Sequence, residues 1–106
     1  MSDCIFCRIS EGSISSNFVY QDEDVMVIRD IHPAAPVHLL VIPREHVSDV
    51  MAADEMLVTN LVVLVKKIIR EQKITNYRLV TNGGGAALIE HLHVHLMGEV
   101  DKHRDL

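Results

Sequence analysis

The order of apolar and polar residues along the chain predicts a small sheet. Five short apolar stretches are bounded by acidic residues, glycine or proline, which is typical of β-strands. These stretches cover residues 19–20, 25–28, 38–42, 77–81 and 91–97. The acidic turn at residues 21–24 predicts that the first two strands pair in an antiparallel manner. The third stretch is an unbroken apolar run that ends at Pro43, and this predicts a buried strand near the centre of the sheet.

Two further stretches have the spacing of helices. The first is predicted to begin at an Asp3 cap and to end at Gly12. The second covers residues 54–72 and carries two adjacent apolar stripes. The stripes consist of Leu57, Leu61, Leu64 and Ile68, and of Val58, Val62, Val65 and Ile69. Because so short a chain has little material to cover both stripes, the pattern favours a homodimer over a helix buried within one chain.

These elements predict an α+β fold, with a five-stranded antiparallel sheet, one long helix and one short helix. The chain has 106 residues and is expected to form one domain over residues 1–106, with residues 99–105 as a solvated end. A net charge of −5 argues against a surface that coats nucleic acid, because such surfaces need clustered Lys and Arg. Since no transmembrane run or secretory signal is present, we expect a cytoplasmic protein that binds no membrane.

His91, His93 and His95 are separated by single apolar residues. Side chains of a strand point to alternate faces, so the three imidazoles should project from one face while the apolar residues pack behind them. Imidazoles titrate near neutral pH and can bind anions, move protons or hold a metal. The spacing therefore favours a catalytic anion pocket, and a zinc site made by the three histidines is the alternative.

Cys4 and Cys7 form a C-x-x-C pair near the start of the chain. In a reducing compartment such a pair indicates half of a metal site or a redox pair, and the alternative is two small buried thiols on a helical turn. No βαβ pattern surrounds the pair, so redox catalysis is the least supported of these interpretations.

Two motifs together resemble a known family. Residues 91–97 read HLHVHLM, and residues 30–46 read DIHPAAPVHLLVIPREH. Both motifs are similar to those of the histidine triad (HIT) superfamily of nucleotidyl hydrolases and transferases. The resemblance extends over nearly the whole chain. The ending at residues 96–98 is similar to the Hint branch, the nucleoside phosphoramidases, rather than to the dinucleoside polyphosphate hydrolases, whose triad usually runs into Pro-Arg. A histidine rather than glutamine at position 95 also differs from the nucleotidyl transferase branch.

The resemblance implies a homodimer and a covalent mechanism. His93 matches the nucleophile, whose Nε2 attacks an α-phosphorus to form a nucleotidyl-imidazole that water then hydrolyses. Attack requires an unprotonated Nε2, so Nδ1 should carry the proton and donate it to a backbone carbonyl. His95, His91 and His38 match residues that donate to phosphate oxygens or assist the leaving group. No cofactor or metal is required for this catalysis.

The resemblance also implies a site for a purine nucleotide such as AMP. Asp30 matches the residue that accepts hydrogen bonds from the ribose hydroxyls. The apolar slot for the base is matched by Ile5, Phe6, Ile9, Ile28 and Ile31. The phosphate loop is matched by Asn82 and by the backbone of Ala86, Ala87 and Leu88, where N–H groups can face an anion. Without the motif, Asp30 would be a turn residue and the apolar side chains would be core.

Cys4, Cys7, His46 and His91 are similar to the structural zinc set of some bacterial members of the family. Two thiolates and two imidazoles are a suitable tetrahedral donor set for Zn²⁺. A bound zinc ion would hold the first helix against the sheet and withdraw His91 from proton chemistry. The alternative is a pair of unmetallated thiols beside a functional triad.

The resemblance implies a hydrolase of purine nucleoside 5′-phosphoramidates or related nucleotidyl esters. The alternatives are a dinucleoside polyphosphate hydrolase and a purine-nucleotide-binding regulatory protein with vestigial activity. The intact His93 favours an enzyme. However, Ala87 and Leu88 replace the Gln and Ser that are common in the Hint branch, and the loop is slightly shorter than usual. These differences leave the preferred leaving group open. They favour the interpretation of the chain as a nucleotide-binding protein.

Overall fold

A computed structural model describes residues 3–103 of the chain. Within this part, the helices are α1 (Ile5–Ser10) and α2 (Glu55–Gln72). The strands are β1 (Phe18–Gln21), β2 (Val25–Arg29), β3 (Val37–Pro43), β4 (Arg78–Val80) and β5 (Val94–Gly98). The α+β class predicted from the sequence, with five strands, one long helix and one short helix, is therefore confirmed.

The strands form one antiparallel sheet in the order β1-β2-β3-β5-β4. β3 is central, as predicted, and it is buried from His38 to Pro43. β5 lies beside it, with His95 opposite Leu40 and Met97 opposite His38. This pairing brings the fourth histidine next to the histidine motif.

A helix covers each face of the sheet. On one face, Leu61, Val65 and Ile68 of α2 pack against a cluster that contains Leu39 and Leu96. On the other face, α1 packs on side chains that alternate with that cluster along β2 and β3. This second cluster consists of Phe6, Ile9, Met26, Ile28, Leu40 and Ile42. The apolar residues of the histidine motif therefore face α2, and the histidines face α1.

The start of α1 differs from the prediction. The helix is capped by Cys4 rather than Asp3, because the Cys4 sulfur accepts the N–H of Cys7 at 3.4 Å and the Cys4 backbone is extended. The helix ends at Ser10, and Gly12 follows with a φ of +90°. Glycine adopts such a backbone without steric cost, which explains why the chain turns there.

The histidine strand is shorter than predicted. β5 begins at Val94, so His91 and His93 lie in an irregular segment that precedes it. Hydrogen bonds to residues outside β5 hold the backbone of this segment. The N–H of Leu92 donates to the carbonyl of Val47 at 2.7 Å, and the hydroxyl of Thr81 donates to the carbonyl of His93 at 2.9 Å. The side chains still alternate, because the rings of His91 and His93 contact Phe6, whereas Leu92 packs in the cluster on the α2 face.

The second apolar stripe of α2 does not behave as one unit. Val65 is 2% exposed within the single chain, and Val58 and Ile69 are half-buried, whereas Val62 stays 47% exposed. The expectation that the whole stripe needs a partner is therefore wrong. The helix lies on the sheet along the boundary between the two stripes, so one chain covers most of both. Met56, Val62 and Val63 remain exposed.

The expected solvated end is also wrong at its beginning. The N–H groups of Glu99 and Val100 donate to the carbonyls of Thr75 and Asn76, at 2.8 and 2.9 Å. Val100 is 6% exposed, although the side chain of Glu99 and residues 101–103 are exposed. Positions 104 and 105, also expected to be solvated, lie outside the described residues. Over residues 3–103, neither helix is long and apolar enough to cross a membrane.

Candidate active site

A cavity of about 530 Å³ opens on the α1 face of the sheet. It lies between α1, the end of β2, the loop at residues 82–89 and the histidine motif. The residues expected to bind a nucleotide all line it, namely Ile5, Phe6, Ile9, Ile28, Asp30, Ile31, Asn82, Ala86, Ala87, Leu88, His93 and His95. The fold thus brings together side chains that are distant in sequence.

Sequence reasoning missed some residues of this cavity. They are Ile14, Ser15, Ser16, Arg29, His32, Leu40 and Ile89. A signal for Leu40 was present, because it follows His38 by two residues on a strand and must share its face. The two serines lie in irregular backbone after α1, where no periodic pattern could indicate their direction.

His93 has its ring fixed by its own backbone segment. Its Nδ1 lies 2.7 Å from the carbonyl oxygen of His91. A carbonyl only accepts, so Nδ1 carries the proton and Nε2 keeps a lone pair. The edge of the Phe6 ring supports the imidazole, with centroids 5.0 Å apart. The result is a buried imidazole, 8% exposed, that lines the cavity in the tautomer a nucleophile needs.

His95 has the opposite tautomer, set by a chain of two hydrogen bonds. The backbone N–H of Ala34 donates to Nδ1 of His38 at 2.9 Å, so the proton of His38 is on Nε2. That Nε2 lies 2.9 Å from Nδ1 of His95, which leaves the proton of His95 on its own Nε2. His38 does not line the cavity and acts on it through His95.

Burial lowers the pKa of His95 below its ordinary value, and positive charge on His93 or His38 would lower it further. Asp30 opposes this shift. Its Oδ1 accepts the N–H of His32 at 2.7 Å, and its Oδ2 lies 3.4 Å from Nε2 of His38. The carboxylate is therefore held in one orientation at the wall of the cavity. The lowered pKa of His95 favours its neutral form near pH 7.

His91 is turned away from the cavity. It is fully buried, and its Nε2 lies 2.7 Å from the carbonyl oxygen of Pro43, which places the proton there. Nδ1 is then an acceptor, 3.3 Å from the Cys4 sulfur, 3.5 Å from the Cys7 sulfur and 3.1 Å from Nδ1 of His46. The four donor atoms all lie within 4.8 Å of one another.

The chemistry of this cluster fits zinc. Two sulfurs and two imidazole nitrogens form a tetrahedral donor set, and a ligating histidine commonly donates its other N–H to a carbonyl, as His91 does. The same burial lowers the pKa of His91, which favours the neutral form that binds metal. Of the four candidate catalytic histidines, His93 and His95 therefore line the cavity, whereas His38 and His91 do not.

The loop at residues 82–88, which we term the glycine loop, forms the remaining wall. Gly84 and Gly85 have φ values of +63° and +95°, and the N–H of Ala86 donates to the carbonyl of Gly83 at 3.2 Å. Among residues 3–103, no group accepts a hydrogen bond from the N–H of Ala87 or Leu88. These donors can therefore serve an anion. The side chain of Leu88 is fully exposed.

Comparison with known proteins extends over nearly the whole chain. The family model described as "Scavenger mRNA decapping enzyme C-term binding" matches residues 3–105. An uncharacterized HIT-like protein of Chlamydia trachomatis is 40% identical over 100 residues, which cover 89% of this chain and 90% of that protein. Protein HitA of Neisseria gonorrhoeae is 36% identical over 104 residues, which cover 92% of this chain and 97% of HitA.

Solved structures with the same fold support these matches. A HIT family hydrolase from Clostridium thermocellum superposes with a TM-score of 0.89 and 37% identity, over 100% of this chain and 98% of that one. A histidine triad protein from Clostridium difficile superposes with a TM-score of 0.88 and 31% identity, with the same coverage. Both similarities include the segments that form the cavity.

The lowered pKa of His95 predicts a pH dependence of stability. The unfolded chain binds this proton more tightly than the folded chain, so the stabilisation is fully present above the ordinary pKa of about 6.5 and is lost as pH falls through the folded value. We expect the free energy of unfolding in urea to fall less for His95→Gln than for the wild type between about pH 7 and about pH 5. His103→Gln, at an exposed histidine, is the control and should follow the wild type. Equal losses in His95→Gln and wild type would contradict the prediction.

Proposed function

Since the chain belongs to the histidine triad superfamily, we propose that it is a nucleotide-binding hydrolase that cleaves the bond to the α-phosphorus of purine nucleoside 5′-phosphoramidates or related nucleotidyl esters. The observation that carries this proposal is the tautomer of His93. Its Nδ1 is bound by the carbonyl of His91, so the lone pair of Nε2 is left for a phosphorus in the cavity. The proposal is also supported by the structurally similar protein from Clostridium thermocellum, which is described as a HIT family hydrolase.

In the first step, Nε2 of His93 attacks the α-phosphorus in line with the leaving group. A nitrogen–phosphorus bond forms, and the bond to the leaving nitrogen or oxygen breaks with its electron pair. The imidazole becomes a cation, which the carbonyl of His91 stabilises through the Nδ1–H bond. Nε2–H of His95 donates to a phosphate oxygen or to the leaving group.

In the second step, water attacks the same phosphorus, and the bond from phosphorus to Nε2 of His93 breaks with its electron pair. The water gives up a proton, which replaces the one that the leaving group takes up. The products are a nucleoside monophosphate and the free amine, alcohol or acid. Dividing the displacement into two steps lets one imidazole act as nucleophile and then as leaving group. The chain's own groups supply the donors, so the proposed chemistry requires no metal.

The cavity supports a purine nucleoside as the bound half of the substrate. Phe6, Ile9 and Ile28 provide an apolar wall for a planar base, and Asp30 can accept hydrogen bonds from ribose hydroxyls. The N–H groups of Ala87 and Leu88 can bind phosphate oxygens. A panel of adenosine and guanosine 5′-phosphoramidates, diadenosine polyphosphates and nucleotide sugars would identify the preferred class.

A second candidate is a purine-nucleotide-binding regulatory protein with vestigial activity. It is favoured by the loop at residues 86–88, where no side chain carries a hydroxyl or amide that could protonate a leaving amine. A dinucleoside polyphosphate hydrolase is the further alternative, because a phosphate leaving group needs little protonation. The same panel separates these cases: tight AMP binding with negligible turnover of every substrate would favour the regulatory protein.

His93→Ala tests the mechanism. We expect turnover to fall by roughly three orders of magnitude or more, because the variant has no group to form the covalent bond. AMP binding, measured by calorimetry, should change little, since Asp30 and the apolar wall are retained. His103→Ala, at an exposed histidine away from the cavity, is the control and should keep wild-type turnover. Near wild-type turnover in His93→Ala would contradict the mechanism.

We also propose that Cys4, Cys7, His46 and His91 hold a structural Zn²⁺. Elemental analysis of protein purified without added metal should then find about one zinc ion per chain. Chelation should lower the unfolding temperature, because the folded chain would bind the ion more tightly than the unfolded chain. Cys7→Ser should lose the metal, whereas His93→Ala, on the same segment, should keep it. Wild-type protein that contains no zinc after purification would overturn this proposal.

The exposed apolar residues support the proposal of a homodimer. Tyr77 precedes the edge strand β4 and Leu79 lies on it, and their side chains are 58% and 44% exposed. On α2, Val62 and Val63 are 47% and 58% exposed. Soluble monomers rarely leave a strand edge and apolar side chains uncovered together. A two-fold interface would bury both surfaces from each chain.

Val62→Asp tests the homodimer by placing two charges in one apolar interface. We expect a wild-type dimer in sedimentation at micromolar concentration and a monomer, or an unfolded chain, for Val62→Asp. Asn60→Asp on the same helix is the control, because Asn60 lines a separate surface depression beside Arg44. A monomeric wild type, or a fully dimeric Val62→Asp variant, would show that these side chains are not the interface.

A further inference from the structure

Asp49 lies between β3 and α2, yet its carboxylate joins two loops that are 35 residues apart in the chain. Oδ2 accepts the N–H of Gly84 at 2.9 Å. Oδ1 accepts the N–H groups of Met51 and Ala52 at 3.1 and 3.3 Å, which fixes the carboxylate on its own turn. The hydrogen bond from Gly84 is also the main reason that the pKa of Asp49 is lowered, so the group is ionised near neutral pH.

The backbone of the glycine loop fits closely against this carboxylate. A Cβ atom added at Gly83 would lie 3.0 Å from both Cβ and Oδ2 of Asp49, so a side chain there would displace one of them. Three consecutive glycines have great conformational freedom, and Gly84 and Gly85 adopt positive φ values. Such a loop keeps one shape only if another part of the protein holds it.

The segment that carries Asp49 is hydrogen-bonded to the segment that carries His93. The carbonyl of Val47 accepts the N–H of Leu92 at 2.7 Å, next to His93. At the other end, the hydroxyl of Thr81, just before the glycine loop, donates to the carbonyl of His93 at 2.9 Å. Asp49 adds a third hydrogen bond, because its carboxylate accepts the N–H of Gly84 in the middle of the loop. These three hydrogen bonds link the glycine loop to the segment that carries His93.

We propose that Asp49 is a positioning residue, which holds the glycine loop where its N–H groups bind the substrate phosphate in line with His93. This inference rests on the proposed function. Asp49 is itself an anion near a phosphate site, so its charge alone would weaken phosphate binding. Positioning and electrostatics therefore predict opposite effects when the carboxylate is removed.

The experiment compares Asp49→Asn and Asp49→Ala with the wild type. Asparagine has one acceptor oxygen where the carboxylate has two, so it cannot serve both loops. We expect the Kd for AMP and the KM to rise about tenfold, with kcat changed little, because the loop binds phosphate in both the ground state and the transition state. Asp54→Asn is the matched control: it removes a carboxylate that accepts the N–H of Leu57 at 2.8 Å and caps α2, but does not touch the glycine loop.

Amide hydrogen exchange at Gly84 provides a readout that does not depend on activity. The exchange rate should increase in both Asp49 variants and stay at the wild-type value in Asp54→Asn. Unchanged exchange at Gly84, or tighter AMP binding in Asp49→Asn, would overturn the positioning role. If the wild type neither binds AMP nor hydrolyses any substrate of the panel, the proposed function fails, and exchange at Gly84 still decides whether Asp49 holds the loop.

Discussion

The hydrogen bond from Nδ1 of His93 to the carbonyl of His91 is the interaction on which the candidate active site depends. It is local, because only one residue separates the two histidines. It also needs support, since a free segment would rotate the carbonyl away. Bonds from Leu92 to Val47 and from Thr81 to His93 fix that segment on both sides. The lone pair of Nε2 is thereby held in place before any substrate binds.

The structure sets two neighbouring imidazoles in opposite tautomers by using opposite backbone groups. A carbonyl places the proton of His93 on Nδ1, whereas the N–H of Ala34, acting through His38, places the proton of His95 on Nε2. The rings of His93 and His95 have centroids 5.1 Å apart. The proposed nucleophile and the proposed proton donor thus lie side by side, and the cluster around His91 holds the residue whose carbonyl orients the ring of His93.

Much of this site could be predicted from the sequence, because its residues follow simple periodicities. Alternation placed the histidines on one face, and the helix over residues 54–72 begins at its Asp54 cap. The alternation continues into the irregular segment before β5, so it could not locate the start of that strand. Whether Asp3 or Cys4 caps α1 depends on tertiary contacts. Asp49 gave no signal, because its partner Gly84 is adjacent only in the folded chain.

The protonation state of the imidazole nitrogens tests this account most directly. Nitrogen-15 NMR of histidine-labelled protein, free of nucleotide and near neutral pH, distinguishes a protonated ring nitrogen from one with a lone pair. The structure predicts that His93 is protonated at Nδ1 with an unprotonated Nε2, and that His95 is protonated at Nε2. A proton on Nε2 of His93 would contradict the account, because that nitrogen could not then attack phosphorus.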